Sequence, residues 1–208
     1  MGSDVNRDHW HPPQLRGNRV LLRRPHPDDL PTVRRWYSDP ELARLTRYQT
    51  RPMSEAEVEL FFRSRLLSPD ALAYSILELA AERLVGFTTF SGLDPDNGSV
   101  MFHITIGERD AWNRGLGTET TRLMLAHAFE HLGLHRVGLT VFSFNERAIR
   151  TYEKAGFRIE GRLREAVQRD GRYWDEVQMG VLRSEWPALA PDAAAEATAR
   201  LAPVESAG

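Results

Sequence analysis

Apolar and polar residues alternate through the middle of the chain, and clusters of turn-forming residues separate the alternating segments. Alternation with a period of two is typical of strands that bury one face. The pattern predicts strands near residues 73–80, 83–93 and 98–107, and a strong turn signal at Asp94 to Gly98 separates the last two. Because no helical pattern lies between these strands, they are expected to form an antiparallel meander.

Four more strands are predicted outside the meander. They lie near residues 20–24, 136–142, 157–168 and 172–182. Asp170-Gly171 joins the last two and is a typical two-residue hairpin turn. The chain is therefore predicted to contain about seven strands.

Apolar residues spaced three and four positions apart predict two helices before the meander. The first begins near Leu30, with Asp28 as its cap. The second runs from a capping box at Ser54 and Glu57 to about residue 67. Residues 41–52, between the two helices, are predicted to be an irregular connection.

Two further helices are predicted after the meander. A long one covers about residues 115–131 and ends before Gly133. A short one begins at Asn145, which can cap it, and ends at Gly156.

Composition limits the class of protein. The chain has 208 residues, of which 41% are hydrophobic, and this suits one domain with a proper core. It contains no cysteine, which excludes disulfides, a cysteine nucleophile and thiolate metal ligands. The formal net charge of -2 gives no reason to expect a nucleic-acid partner.

The distribution of residues along the chain predicts its organisation. We expect one domain over residues 16–187, a flexible arm over 1–15 and a disordered tail over 188–208. No apolar run approaches the roughly 20 residues of a membrane span, and the first residues lack a signal-peptide core. A cytoplasmic protein without a membrane partner is therefore expected.

The most informative stretch runs from Ile104 to Glu119, where a predicted strand passes through a loop into the long helix. The first turn of a helix has unpaired backbone N–H groups, and the glycines at Gly115 and Gly117 would let a phosphate oxygen approach them. We therefore interpret residues 112–118, here called the cradle loop, as a diphosphate cradle. The stretch matches neither a Walker A loop nor the dinucleotide fingerprint, and an ordinary helix-capping turn remains the alternative.

Three histidines raise the question of a metal site. His127, His131 and His135 recur every four residues, a spacing that suits metal binding on one helix face. However, Gly133 interrupts the helix, and no carboxylate or cysteine completes the set. We therefore predict a solvated helix face and no metal.

Three segments in order resemble the GNAT N-acetyltransferase superfamily. The cradle loop, with Glu119 after it, resembles the loop that binds the acetyl-CoA pyrophosphate. Residues 145–157 (NERAIRTYEKAGF) are similar to the second cofactor motif of that superfamily, and residues 160–173 are similar to a C-terminal hairpin. That hairpin belongs to the branch of ribosomal-protein alanine and spermidine acetyltransferases. The resemblance spans roughly residues 19–186 and implies a mixed, mostly antiparallel sheet with helices on both faces.

The resemblance also implies how acetyl-CoA would bind. Glycines and backbone groups would hold the diphosphate, Arg109 and Arg114 would supply positive charge, and Asn145 would contact the pantetheine arm. The implied binding residues are Ile104, Ile106, Arg109, Trp112, Asn113, Arg114, Gly115, Leu116, Gly117, Thr118, Asn145 and Ala148. From spacing alone, Asn145 could equally be only a helix cap.

The reaction implied is direct acetyl transfer to an amine, with a strand N–H group stabilising the oxyanion. By resemblance, Tyr152 would protonate the leaving thiolate, although spacing alone would also suit a core aromatic. The base is open, because Met101 occupies the position where many relatives carry a glutamate. His103 and Glu41 are the candidates, and water is a third route for the proton.

The acceptor is the least determined part of the prediction. Carboxylates and arginines are interleaved between residues 28 and 59, so no dense acidic groove for a polyamine is expected. We predict a primary amine on a peptide N-terminus or an amino-acid-like molecule, whose oxygens could pair with Arg44, Arg47 or Arg51. The alternatives are a polyamine or aminoglycoside acetyltransferase and a non-catalytic acyl-CoA-binding regulatory module. Assembly as a homodimer is left open.

Overall fold

The computed structural model describes residues 14–186. The predicted tail, residues 188–208, lies outside the described residues, as does most of the predicted arm. The strands are β1 (Gln14–Arg16), β2 (Val20–Arg23), β3 (Leu72–Glu78), β4 (Arg83–Asp94), β5 (Ser99–Ile106), β6 (Arg136–Phe142), β7 (Arg158–Arg169) and β8 (Arg172–Leu182). The helices are α1 (Leu30–Tyr37), α2 (Pro40–Thr46), α3 (Glu55–Phe61), α4 (Leu116–Ala126) and α5 (Glu146–Ala155).

The strands form one sheet in the order β1-β2-β3-β4-β5-β6-β8-β7. Every neighbouring pair is antiparallel except β5 and β6, which are parallel. The predicted α/β fold with a mixed, mostly antiparallel sheet is confirmed. The sheet has one strand more than predicted, because the short β1 pairs with β2 and buries Leu15. Residues 14 and 15 therefore belong to the sheet and not to the arm.

Helices cover both faces of the sheet, as predicted. On one face, α4 and α5 pack against alternate residues of the central strands in the larger core cluster. On the other face, Val33 and Trp36 of α1 and Val58 of α3 pack with Ala73 and Phe87 from the sheet. Strand β3 is buried on both faces, which explains its nearly continuous burial.

The predicted irregular connection over residues 41–52 is wrong in its first part, because residues 40–46 form α2. The side chain of Asp39 caps this helix by accepting hydrogen bonds from the backbone N–H groups of Glu41 (2.8 Å) and Leu42 (3.3 Å). Pro40 occupies the first helical position, where a missing N–H group costs nothing. Asp39-Pro40 is thus a helix start as well as a stop signal for the helix before it.

Other helix ends differ in detail from the prediction. His26 caps a short 3-10 turn, Pro27–Asp29, ahead of α1, so Asp28 does not cap that helix. The capping box of Ser54 and Glu57 at α3 is confirmed. Helix α4 continues as a π-helical turn, His127–His131.

The predicted solvated face of three histidines is wrong for one of them. His127 is fully buried, and its ring lies near those of Tyr74 and Phe90. Among residues 14–186, no group of three or more histidine, cysteine or acidic side chains is arranged to hold a metal ion.

The sheet splits between β5 and β6. These strands pair only over Ser99–Met101 and residues 136–138, although both strands continue beyond that point. From there β5 remains paired with β4, and β6 remains paired with β8. The sheet therefore divides in its middle and leaves a gap between two strand edges.

A buried carboxylate joins the sheet to α1. Asp29 is 4% exposed and accepts hydrogen bonds from the Arg23 guanidinium (2.6 and 2.9 Å), the His26 N–H (3.0 Å) and the Ser75 hydroxyl (2.7 Å). Burial alone would raise the pKa of Asp29, but the hydrogen bonds from these three residues outweigh it and lower that pKa. The charged carboxylate therefore stabilises the folded state.

Asp29→Asn should lower the free energy of unfolding by about 2–3 kcal/mol at pH 7, because it leaves Arg23 without its charged partner. A carboxylate with a lowered pKa stabilises the fold above its unfolded-state value of about 3.9, and this is lost as pH falls through the folded-state value. The difference in free energy of unfolding between the parent and the variant should therefore shrink below about pH 4. Urea denaturation at both pH values measures this.

The neighbouring Asp28→Asn is the matched control. The Asp28 side chain is 89% exposed, so its replacement should change the free energy of unfolding by less than about 0.5 kcal/mol. Equal effects of the two substitutions would contradict the role assigned to Asp29.

Candidate active site

A cleft of about 560 Å³ occupies the gap between β5 and β6. Residues 102–106 of β5 and 140–142 of β6 form its sides, and residues of α2 and α5 complete its walls. The cradle loop and the start of α4 close one end. Most of the predicted binding residues line this cleft: Ile104, Ile106, Trp112, Asn113, Gly115, Leu116, Gly117, Thr118, Asn145 and Ala148.

Backbone groups of β5 point into the gap at alternate residues. The N–H of Gly107, just after β5, donates to the Val85 carbonyl of β4 (2.8 Å), and the His103 carbonyl accepts from the Thr88 hydroxyl of β4 (2.8 Å). Strand backbone groups alternate between the two edges, so those of Ile104 and Ile106 face the other way, towards β6. Beyond residue 101, β6 no longer pairs with them. The Ile104 N–H is thus placed to donate to a ligand.

The N-terminus of α4 provides further backbone donors. Asn113 (φ 60°) and Gly115 (φ 79°) are both left-handed, and the loop turns there directly into α4. A Cβ atom added at Gly117 would lie 3.5 Å from Thr151 and 3.9 Å from Ile106, which are ordinary contact distances. Gly117 therefore leaves a space beside the first helical turn, where an anion is favoured.

Two predicted cations lie elsewhere. The Arg109 guanidinium pairs with Asp39, with Nε 2.7 Å from Oδ2, and that of Arg114 pairs with the buried Glu78. Neither residue lines the cleft. The positive charge in the cleft comes from α5, which contributes Arg147, Arg150 and Lys154.

The sequence held a signal for these α5 cations. They recur at three- and four-residue spacing, which places them on one side of the helix. The Arg147 guanidinium carbon lies 3.5 Å from the centre of the Trp112 ring, so a cation–π contact joins α5 to the cradle loop across the cleft. Burial lowers the pKa of Arg147, but an arginine stays charged.

Tyr152 and Asn145 both lie where α5 faces the cleft. Tyr152 is 8% exposed and meets the rings of Phe102 and Phe157 edge-on. Burial raises the pKa of Tyr152 to about 12, so the hydroxyl keeps its proton at neutral pH. The Asn145 side chain accepts from the Ala148 N–H (3.3 Å), which makes it the cap of α5 as well as a cleft residue.

The two base candidates have different positions. His103 lines the cleft, and its Nε2 lies 2.7 Å from the Ser91 hydroxyl oxygen. Part of the His103 side chain is accessible to solvent. The surrounding protein atoms still desolvate the ring and, with a smaller effect of Arg65, lower its pKa, so the ring is neutral at pH 7. Glu41 lies in the first turn of α2 and does not line the cleft.

One contact beside the cleft has no counterpart in any local sequence pattern. The Tyr48 hydroxyl, whose residue lines the cleft, donates to Glu176 of β8, a carboxylate that is 6% exposed. The Tyr48 ring also packs edge-on against Phe142. The two hydrogen-bonded residues are 128 positions apart, so only the folded sheet brings them together.

Comparison with known proteins identifies the family. Residues 19–158, about two thirds of the chain, match the acetyltransferase (GNAT) domain model. The uncharacterized N-acetyltransferase YokL of Bacillus subtilis is 32% identical over 103 residues, which are 50% of this chain and 58% of YokL. The chain thus spans little more than half the length of that relative.

No helix within residues 14–186 is long and apolar enough to cross a membrane.

Solved structures show the same fold. A GCN5-related N-acetyltransferase from Brucella melitensis superposes with a TM-score of 0.72 at 26% identity and covers 93% of this chain and 87% of its own. Spermidine N-acetyltransferase from Vibrio cholerae, in complex with CoA and spermine, gives 0.72 at 23% identity, with 82% and 99% covered. The fold, family and enzyme class predicted from the sequence are confirmed. The chain belongs to the GNAT family of acetyltransferases, whose acyl donor is acetyl-CoA.

Proposed function

We propose that this protein transfers an acetyl group from acetyl-CoA to a primary amine, and that both substrates meet in the gap between β5 and β6. The observation that carries the proposal is the early end of β5–β6 pairing, which leaves the Ile104 N–H in a cleft that also contains Tyr152 and Asn145. A strand edge with free donors suits the amide-containing pantetheine arm. The cradle loop and the start of α4 suit the diphosphate.

In this proposal Arg147, Arg150 and Lys154 supply the positive charge for the CoA phosphates, in place of the predicted Arg109 and Arg114. All three belong to the cleft lining, and the phosphates of CoA carry several negative charges. Asn145 and Ala148 lie beside the pantetheine arm.

The chemistry needs one proton to move from nitrogen to sulfur. The amine nitrogen attacks the thioester carbonyl carbon, the Ile104 N–H stabilises the charge on oxygen, and the C–S bond breaks. Tyr152 donates to the leaving sulfur, and the proton lost by the amine passes through His103 or water and finally restores the hydroxyl. With its pKa raised to about 12, Tyr152 does not accumulate as tyrosinate.

Tyr152→Phe should lower kcat by about 100-fold, the scale expected when a general acid is lost. CoA affinity should hardly change, because the ring keeps its packing against Phe102 and Phe157. Thiol release from acetyl-CoA measures kcat, and calorimetric titration with CoA measures affinity. Tyr173→Phe, at a hairpin residue that is 57% exposed, is the matched control. A Tyr152→Phe enzyme as fast as the parent would leave Tyr152 a packing residue only.

The charges beside α1–α3 bear on the acceptor. Most carboxylates there have an arginine partner: Asp29 with Arg23, Asp39 with Arg109, Glu55 with Arg34, Glu57 with Arg51, and Glu59 with Arg34 and Arg63. A polyamine site needs several unopposed carboxylates, and these described residues do not offer them. An acceptor with one reacting amine suits this site better.

Of the three arginines proposed for the acceptor oxygens, Arg47 has the most freedom to bind. Arg44 pairs with Asp170 (3.1 Å), and Arg51 pairs with Glu57. Arg47 donates one guanidinium nitrogen to the Arg51 carbonyl (2.8 Å), while its buried Nη1 has no hydrogen-bond partner among the described residues. Arg47 itself does not line the cleft and its guanidinium lies over the Tyr37 ring, but Thr46 and Tyr48 on either side of it are lining residues, so the site of Arg47 adjoins the cleft. We therefore assign Arg47 to the carbonyl or carboxylate oxygen of the acceptor.

An acceptor panel tests the proposal. Short peptides with free Ser or Ala N-termini and amino acids should show saturable acetylation, and spermidine should be a poor substrate by at least about tenfold in kcat/KM. The Arg47→Met variant should lose most of this preference. Efficient acetylation of spermidine with none of the peptides would contradict the acceptor assignment. Absence of thiol release with every amine, in a protein that binds CoA, would favour the non-catalytic module.

A further inference from the structure

We propose that Glu78, a residue outside the cleft, is a positioning residue for acetyl-CoA: it holds the cradle loop in its binding conformation through Arg114. The inference rests on the proposed function, since it concerns the site assigned above to the CoA diphosphate. It also gives Arg114 a role different from the direct phosphate contact that the sequence suggested.

Glu78 is buried at the last position of β3. The residue is 1% exposed, and its two oxygens pair with different arginines. Oε1 forms an ion pair with the Arg114 guanidinium, and Oε2 lies 3.3 Å from the Arg83 guanidinium. A buried carboxylate without cationic partners is costly, and this ion pair places the Arg114 guanidinium against the end of β3.

The backbone of Arg114 is held from the other side. Its carbonyl accepts from the Arg19 guanidinium (2.9 Å), and Arg19 also pairs with Glu119 in the first turn of α4 (3.0 Å). The side chain and the carbonyl of one residue are thus bound to two different parts of the protein. Arg114 therefore anchors the cradle loop to both parts.

The loop gains from this support because one of its non-glycine residues adopts an uncommon backbone conformation. Asn113 and Gly115, the residues on either side of Arg114, are both left-handed. A left-handed non-glycine residue is strained and persists only where the surroundings enforce it. A loop already fixed in this conformation presents its N–H groups without losing entropy when the ligand binds.

Two possible roles of Arg114 predict opposite results for Glu78. If Arg114 bound the diphosphate directly, neutralising Glu78 would release a cation towards the phosphates, and acetyl-CoA would bind as well or better. If Glu78 positions the loop, the same change frees the loop and weakens binding. The sign of the effect therefore distinguishes direct contact from positioning.

The test is Glu78→Gln, with the Kd for CoA from calorimetry and kcat and KM from thiol release. Kd and KM for acetyl-CoA should rise about tenfold, while kcat at saturation should stay within about twofold, because the loop acts on binding and not on the chemical step. Arg114→Met should give the same rise, and the double variant should show no further loss, because both changes break one contact.

Arg83→Met is the matched control. It removes the second cation of Glu78 but leaves the contact with Arg114, so Kd for CoA should not change. Where Glu78→Gln fails to fold, as judged by its thermal melt, Glu78→Asp replaces it, since it keeps the charge but shortens the reach to Arg114.

An unchanged or lower Kd in the folded Glu78 variant would overturn the inference, as would additive effects in the double variant. An equal rise in Kd for Arg83→Met would also overturn it. The rise would then follow from the loss of either arginine partner of Glu78, and not specifically from the loss of its contact with Arg114. A parent protein that binds no CoA would instead refute the proposed function itself.

Discussion

The early end of β5–β6 pairing is the constraint on which the rest of the site depends. Backbone N–H and C=O groups inside a protein need hydrogen-bond partners. Beyond the short paired stretch, β5 is paired only with β4, and β6 is paired only with β8. The edges that face each other beyond Met101 and Gly138 are left for other partners. The Trp112 indole satisfies one of them, the Ile106 carbonyl (2.8 Å), and thereby fixes the cradle loop beside the gap. The proposed function assigns the Ile104 N–H, on the same strand edge, to the ligand.

The charges around the gap differ between its two sides. Helix α4 begins at the gap and presents its N-terminus, and α5 adds Arg147, Arg150 and Lys154 along one side. Near α1–α3, by contrast, carboxylates and arginines neutralise each other in pairs. One part of the cleft therefore favours a polyanion, whereas the side near α1–α3 is close to neutral. This asymmetry agrees with an anionic acyl donor and an acceptor of low charge.

The sequence predicted those features that depend on local patterns. Hydrophobic patterns and turn signals predicted seven of the eight strands, and the capping box at Ser54 predicted the start of α3. It missed β1, whose three residues are too few for a pattern, and α2, whose start at Asp39-Pro40 also resembles a helix stop. In the site, most motif residues line the cleft, but the partners of the charged side chains could not be predicted. Arg114 and Glu78 are distant in sequence, so nothing local reveals that they pair.

The central claim is that the gap between β5 and β6 binds CoA, and calorimetric titration of Gly117→Val with CoA tests it most directly. The protein itself has room for a larger side chain at Gly117, whose added Cβ would be 3.5 Å from Thr151, so the variant should fold. It would fill the space beside the α4 N-terminus. The account predicts that Kd rises by at least about tenfold, while Gly161→Val on β7, with similar room, leaves it unchanged. A Gly117→Val protein that is folded and binds CoA as tightly as the parent would contradict the account.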